Sequence, residues 1–159
     1  MKFSKKLLSY AGEYLVAARL SLMGYLAVIT PKGAPEVDIL VYDVERGRAR
    51  SLQVKTVRQD AVHLGVKAVK DDIDKVLGEW VRSPYVIVYI PNDDWRNAEF
   101  YVVPPRDVRE LAKKVYFEWL NKSSHKKPCE ELEKTPQQLV INVKDLKDYK
   151  ERWSNLWMD

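Results

Sequence analysis

Apolar residues recur at helical spacing in the first stretch of the chain. Over residues 4–23, Leu8, Ala11, Leu15, Ala18 and Leu22 share one stripe, which predicts an amphipathic helix with Ser4 as N-cap and Gly24 as stop. Glu13 falls on another stripe, with Val16, Ala17 and Leu20, at the margin of the predicted buried face. Taken by itself it reads as a solvated helix charge. The period then changes. Residues 25–30 are β-branched and aromatic and predict a strand, with Pro31, Gly33 and Pro35 as the turn that follows. Residues 37–44 and 49–57 predict a second and third strand, antiparallel about a hairpin at 45–48 that contains Gly47.

The later pattern is less regular. Residues 58–70 hold an alternation at Val62, Leu64 and Val66 that fits a short edge strand. Residues 71–82 read as a helix with Ile73, Val76, Leu77 and Trp80 on its apolar face. Residues 85–90 and 99–103 predict a strand hairpin around Pro91-Asn92-Asp93-Asp94, and residues 107–120 a helix after Pro104-Pro105. Residues 121–138 read as a polar loop, 139–143 as a final edge strand, and 145–157 as a terminal helix capped by Asp145. Helices interleave with strands, so the expected class is α/β: a mixed sheet with helices packed on it. Residues 1–120 form the expected core domain and 121–159 an extension of loop, edge strand and helix packed on that core.

Composition sharpens this. With 46% hydrophobic residues and six glycines in 159, the chain has material for one folded core. One cysteine, Cys129, excludes an intramolecular disulfide and points to a reducing, cytoplasmic setting. No apolar run approaches membrane-spanning length, and no membrane partner is expected. Lys2, Lys5 and Lys6 precede Leu7-Leu8, but Glu13 and Arg19 interrupt any signal-peptide core. Net charge is +4, unevenly spread: residues 1–34 hold five basic groups against one acidic, and 104–127 seven against three. Two basic zones permit a polyanionic partner. His63, His125 and Cys129 show no zinc spacing, and no glycine-rich phosphate loop or nucleophile elbow is present.

The candidate chemistry sits on the second and third strands. Asp38 stands at the mouth of one, and Gln53 and Lys55 flank Val54 on the other. Strand alternation points Gln53 and Lys55 the same way, and burying such groups separately is expensive, which suggests a shared site. Hydrolysing a phosphodiester requires an activated water and neutralised phosphoryl charge, which a divalent metal supplies. Magnesium takes hard oxygens and only one or two carboxylates. Asp38 is the expected ligand, joined by Glu13 directly or through water, by the Gln53 amide oxygen and by the Val54 carbonyl. Lys55 is expected to serve the attacking water or the phosphate.

Glu13 after Gly12 on the first helix, Asp38 on the second strand and Gln53-Val54-Lys55 on the third resemble the PD-(D/E)xK nuclease superfamily. The strings Gly12-Glu13-Tyr14-Leu15-Val16, Leu22-Met23-Gly24-Tyr25 and Leu52-Gln53-Val54-Lys55-Thr56 are similar to a prokaryotic group of that superfamily with a Gln-x-Lys variant of the motif. The resemblance covers residues 10–105. It implies a restriction-endonuclease-like αβββαβ core with helices on both sides of the sheet, a Mg²⁺- or Mn²⁺-dependent site and cleavage of DNA, duplex or branched. It implies Asp38 as the first acid, Lys55 as the motif lysine and Glu13 as the helix glutamate. Cutting both strands calls for two centres, hence a homodimer. Two positions depart from the pattern: Val37 stands where proline precedes the acid, and Gln53 stands where the second acid belongs. The missing charge lowers the expected metal affinity and makes Glu13 more necessary. It also motivates two alternatives: a nucleic-acid-binding module with an impaired metal site, and a subunit of a restriction or defence complex.

Arg46, Arg48 and Arg50 at the hairpin, and Lys113 and Lys114 in the later basic zone, are the expected phosphate contacts. Trp153 and Trp157, four apart, read as packing for the terminal helix rather than base-stacking platforms.

Overall fold

The computed structural model describes residues 4–31, 37–122 and 125–159; Gly33 and Pro35 of the expected turn, and Ser123-Ser124 of the expected loop, lie outside the described residues. Helix α1 (Lys5–Leu22) leads into strands β1 (Leu26–Ile29), β2 (Ile39–Asp43) and β3 (Arg48–Val57). Strand β4 (Ala61–Ala68) and helix α2 (Ile73–Trp80) precede β5 (Tyr85–Tyr89) and β6 (Glu99–Val103). Helices α3 (Pro105–Leu120) and α4 (Cys129–Lys134) and strand β7 (Gln137–Asn142) follow. The main sheet has the order β1-β2-β3-β5-β6. It is mixed: β3 and β5 run parallel and the other neighbours antiparallel. The fold is the expected mixed α/β class, with the αβββαβ order interrupted by β4.

Strand alternation divides the interior into two cores. Ile39, Val41, Leu52, Val54, Val86, Val88 and Val102 face α1, which contributes Val16 and Leu20. Ile87, Tyr101 and Val103 face the other way, toward α2, α3, β4 and β7. Strand β5 is buried on both sides, as suits a central parallel strand, and its sequence Tyr-Val-Ile-Val-Tyr is accordingly apolar throughout.

Helix α1 is capped as expected, Ser4 Oγ accepting from Leu7 N–H at 3.2 Å. Its buried face is not the expected one. Gly12, Glu13, Val16 and Leu20 are buried, while Ala11, Ala18 and Leu22 are exposed. The stripe carrying Glu13 is therefore the packed face, and Glu13 is 1% exposed rather than solvated. Gly12 decides this. A Cβ there would lie 1.7 Å from Thr56 Oγ1, so only glycine lets the helix backbone settle on β3.

The C-terminal region departs furthest from expectation. Residues 58–70 do form a strand, and β4 pairs with β7 in a separate two-stranded sheet. The expected polar loop contains α4 and the start of β7. No continuous helix covers residues 145–157; two 3₁₀ segments, Val143–Tyr149 and Trp153–Trp157, stand there instead. The break is at Glu151, at φ 55°, whose N–H donates to Phe100 O at 2.9 Å. Asn155 Nδ2 donates to Val102 O at 2.9 Å, so this segment caps the outer edge of β6. It also serves both cores, with Leu146 in one and Trp153 and Leu156 in the other. A straight helix cannot reach both faces of a sheet. Among the described residues no helix is long and apolar enough to cross a membrane.

Candidate functional site

The β2–β3 ladder runs from Asp43↔Arg48 to Ile39↔Leu52 and stops where β2 bends away at Asp38. Asp38 N–H donates to Leu52 O on β3, while its carbonyl accepts from Thr30 N–H beside β1, each at 2.9 Å. In a regular strand both groups of one residue point to the same edge; here they diverge, and the chain turns. The turn lays the carboxylate over β3. Asp38 Oδ2 accepts Val54 N–H at 2.8 Å and a hydrogen bond from Gln53 Nε2. A side chain thus replaces the missing backbone partner of Val54. Gln53 N–H pairs toward β5, with Pro84 O, so the groups of Val54 point to the β2 edge. The Val54 carbonyl therefore faces the same edge as the Asp38 carboxylate.

Gln53 and Lys55 lie on the face opposite α1, as alternation requires. Lys55 is partly buried, its ammonium 5.9 Å from the Tyr85 ring centre and beside Gly65 of β4. Burial pushes its pKa below the ordinary lysine value, and the nearby Asp38 charge pulls partly back. A cleft of about 960 Å³ opens over this end of β3, lined by Asp38, Gln53, Val54 and Lys55. Glu13 stands one hydrogen bond behind the cleft wall: Ser9, which lines the cleft, donates to Glu13 Oε1 at 3.1 Å. The structure thus gathers Asp38, Gln53, Val54 and Lys55 directly, and Glu13 through Ser9.

The five expected phosphate contacts lie elsewhere. Arg46 and Arg48 reach Asp43 at 3.2 and 3.3 Å, at the far end of the hairpin. Arg48 and Gln53 are five positions apart on β3, roughly 17 Å along the strand. Arg50 pairs with Asp159 at 2.7 Å, and Arg48 also covers the Trp157 ring at 4.0 Å. Lys113 pairs with Asp74 and Glu110, and Lys114 stands 4.0 Å from Glu118, all on the α2–α3 layer. In their place the cleft presents Lys5, Arg58 and His63. Arg58 meets Asp93 at 2.9 Å at the rim. Asn92 and Asp93 hold left-handed backbone at φ 53° and 59°, a strained pair at the cleft edge. Pattern reading passes over these residues. The one available signal was the β4 alternation, which buries Val62 and Leu64 and turns His63 outward.

No family model matches the sequence, and no curated protein matches it. Among solved structures, the bacterial homing endonuclease I-Ssp6803I is similar over 96% of this chain and 92% of that chain, at 15% identity and a TM-score of 0.48. At that distance the likeness carries no functional inference.

The oxygens at this edge are the Asp38 carboxylate and the Val54 carbonyl; Gln53, the third expected ligand, turns its Nε2 rather than its amide oxygen to Asp38. That set fits a magnesium-like ion, which keeps several waters and needs few carboxylates. Among the described residues no group of three His, Cys, Asp or Glu side chains is placed to hold a metal.

Proposed function

We propose that this chain is a cytoplasmic, metal-dependent endonuclease of the PD-(D/E)xK type that cleaves DNA. One observation carries the reading. The carboxylate of Asp38, the main chain of Val54 and the side chains of Gln53 and Lys55 line one cleft where β2 leaves β3.

Asp38 and the Val54 carbonyl would hold Mg²⁺ or Mn²⁺, with Gln53 joining them by an amide rotation that exchanges its Nε2 for its oxygen. When bound, such an ion lowers the pKa of its water and offsets charge on the phosphoryl group. The chain's own groups do the rest. The Val54 N–H fixes the Asp38 carboxylate against rotation. Lys55, shielded by β4 and Tyr85, holds its proton less tightly than an ordinary lysine. It is suited to orient or deprotonate the attacking water at its Nζ. Glu13 acts through Ser9 as a buried support of the cleft wall. Arg58 at the rim is placed to meet a backbone phosphate by exchanging its Asp93 partner.

The test is nicking of supercoiled and branched DNA with and without Mg²⁺ or Mn²⁺. Metal-dependent cleavage that Lys55→Ala removes supports the proposal; a wild-type protein inert with both metals on every DNA form overturns it. A second reading is favoured by the Gln53 amide, which gives Asp38 Oδ2 an internal donor in place of a second acid. On that reading the fold binds nucleic acid without cutting, and DNA affinity is unchanged by Mg²⁺.

A further inference from the structure

A second hollow, of about 440 Å³, opens between α3 and β7, a size that suits a ligand no larger than a nucleotide. Trp119 and Lys122 of α3 line it, with Gln138, Val140 and Asn142 of β7 and Lys144 just beyond. Strand alternation sets the β7 wall. Leu139 and Ile141 point into the core and are fully buried, which turns Gln138, Val140 and Asn142 to the opposite face, where all three are half-buried. Cross-strand partners share a face, so Ala61, His63 and Lys67 of β4 stand beside Asn142, Val140 and Gln138. Ala61 and His63 also line the cleft. The cleft and the hollow therefore meet across one strand pair, a step of about 5 Å. Neither β4 nor β7 belongs to the αβββαβ order.

The groups along this path suit an unpaired polynucleotide strand. Lys67, Lys122 and Lys144 are exposed, and among the described residues none of them stands in an ion pair. The hairpin arginines and Lys113, by contrast, are each held by a carboxylate. Glu118, the one acid lining the hollow among the described residues, stands 4.0 Å from Lys114. Cations unanswered within the chain favour an anionic partner, and a polynucleotide carries a charge at every phosphate. Trp119 is half-buried, its ring held by Tyr116 and His125 at centroid distances of 5.8 and 4.9 Å, and it brings an aromatic surface to the hollow. Gln138 and Asn142 add amides, whose paired donor and acceptor match the edge of a base. Gln138 Nε2 already donates to Val66 O at 3.0 Å, which leaves its oxygen to accept from a ligand. Stacking on a side chain requires an open base face, which unpaired nucleotides offer and the interior of a duplex does not.

We infer that the α3–β7 hollow takes bases of an unpaired strand, and that Lys67, Lys122 and Lys144 meet its phosphates as it runs from the cleft across β4 and β7. The inference rests on the reading of the cleft as a nucleic-acid site, and it adds the form of nucleic acid: DNA whose duplex passes into a single strand. The duplex lies at Asp38 and Lys55, and the unpaired segment continues over the outer face of the β4–β7 sheet.

Fluorescence anisotropy on the full chain, without metal so that nothing is cut, compares a blunt duplex with the same duplex carrying an unpaired tail of about eight nucleotides. The tailed duplex should bind roughly tenfold more tightly, the gain expected from one or two stacked bases. Lys122→Glu combined with Lys144→Glu should bring the ratio of the two affinities close to one, and Trp119→Leu should lower it severalfold. A ratio cancels the general loss of attraction that follows from removing positive charge. Both lysines are exposed, so the double variant should keep the wild-type thermal midpoint, and it decides the matter if Trp119→Leu unfolds. Equal wild-type affinity for the two DNAs, or a preference that survives the double variant, overturns the inference and leaves the cleft's assignment standing. Failure to bind either DNA overturns the inference together with the reading of the cleft on which it rests.

Discussion

The two ends of the β2–β3 hairpin carry similar residues arranged to opposite effect. At the closed end, Asp43 is 2% exposed and accepts Arg46 N–H, Arg46 Nη1 and Arg48 Nε. Burial alone would raise its pKa, but those three donors more than offset it and hold the carboxyl below the usual range. At the open end, Asp38 meets a main-chain N–H and a neutral amide, with the ammonium of Lys55 nearby, and faces a cleft. Each is an acid at one end of β2. One has its charge answered by arginines within the chain; the other faces space that an ion and its waters can fill. Residue type does not separate structure from function here. What separates them is the kind of partner: arginines at Asp43, and a main-chain N–H, a neutral amide and a nearby ammonium at the edge of a cleft at Asp38.

That contrast can be broken by exchange of effects. Lys55→Ala should slow metal-dependent cleavage by about 10²–10⁴-fold, the range for a proton-transfer group. Its circular dichroism and DNA affinity should stay near wild type. Asp43→Asn should do the reverse, lowering the thermal midpoint while cleavage per folded molecule holds. If Asp43→Asn abolished cleavage in a folded protein, the closed end would belong to the site.

Next in size is Gln53→Glu. A second carboxylate beside Asp38 should tighten Mn²⁺ on the order of tenfold, read by calorimetry. The metal-free protein should be less stable near neutral pH, because two like charges then face each other. Unchanged Mn²⁺ affinity would remove residue 53 from the ligand set. Gly12→Ala tests the support instead. Its Cβ overlaps Thr56, so a loss of about 1–3 kcal/mol in urea unfolding is expected.

The smallest effect concerns pH. Burial holds the folded Lys55 pKa below its unfolded value, so between the two values the unfolded chain binds more protons at this residue than the folded one. Stability should therefore rise as pH climbs from the lowered folded value toward the ordinary lysine range. Lys55→Met should be more stable than wild type at pH 7 and lose that rise. Urea midpoints measured at neutral and alkaline pH decide it; a parallel profile in the variant would remove Lys55 as its source.

The strands were legible because alternation is a local signal: β6 has its expected bounds of Glu99–Val103. The shared face of Gln53 and Lys55 was legible for the same reason, since side chains two apart on a strand point the same way. The face of α1 was misread because Glu13 counted as polar, whereas Ser9 and the close fit of Gly12 on Thr56 allow it to be buried. The β4–β7 sheet pairs Val62 with Ile141, a separation no local pattern spans. The terminal segment imitates a helix in spacing, yet Leu146 and Trp153 enter different cores. Arg58, Asn92 and Asp93 join the cleft only through the packing of β3 beside the β5–β6 connection.

The central claim is that the open end of the hairpin, and not the closed end, holds a catalytic metal. Crystals soaked in Mn²⁺ test it through the anomalous signal of the ion. The account predicts a peak at bonding distance from both the Asp38 carboxylate and the Val54 carbonyl, absent in Asp38→Asn. A peak at Asp43, or one that persists unchanged in Asp38→Asn, would contradict it.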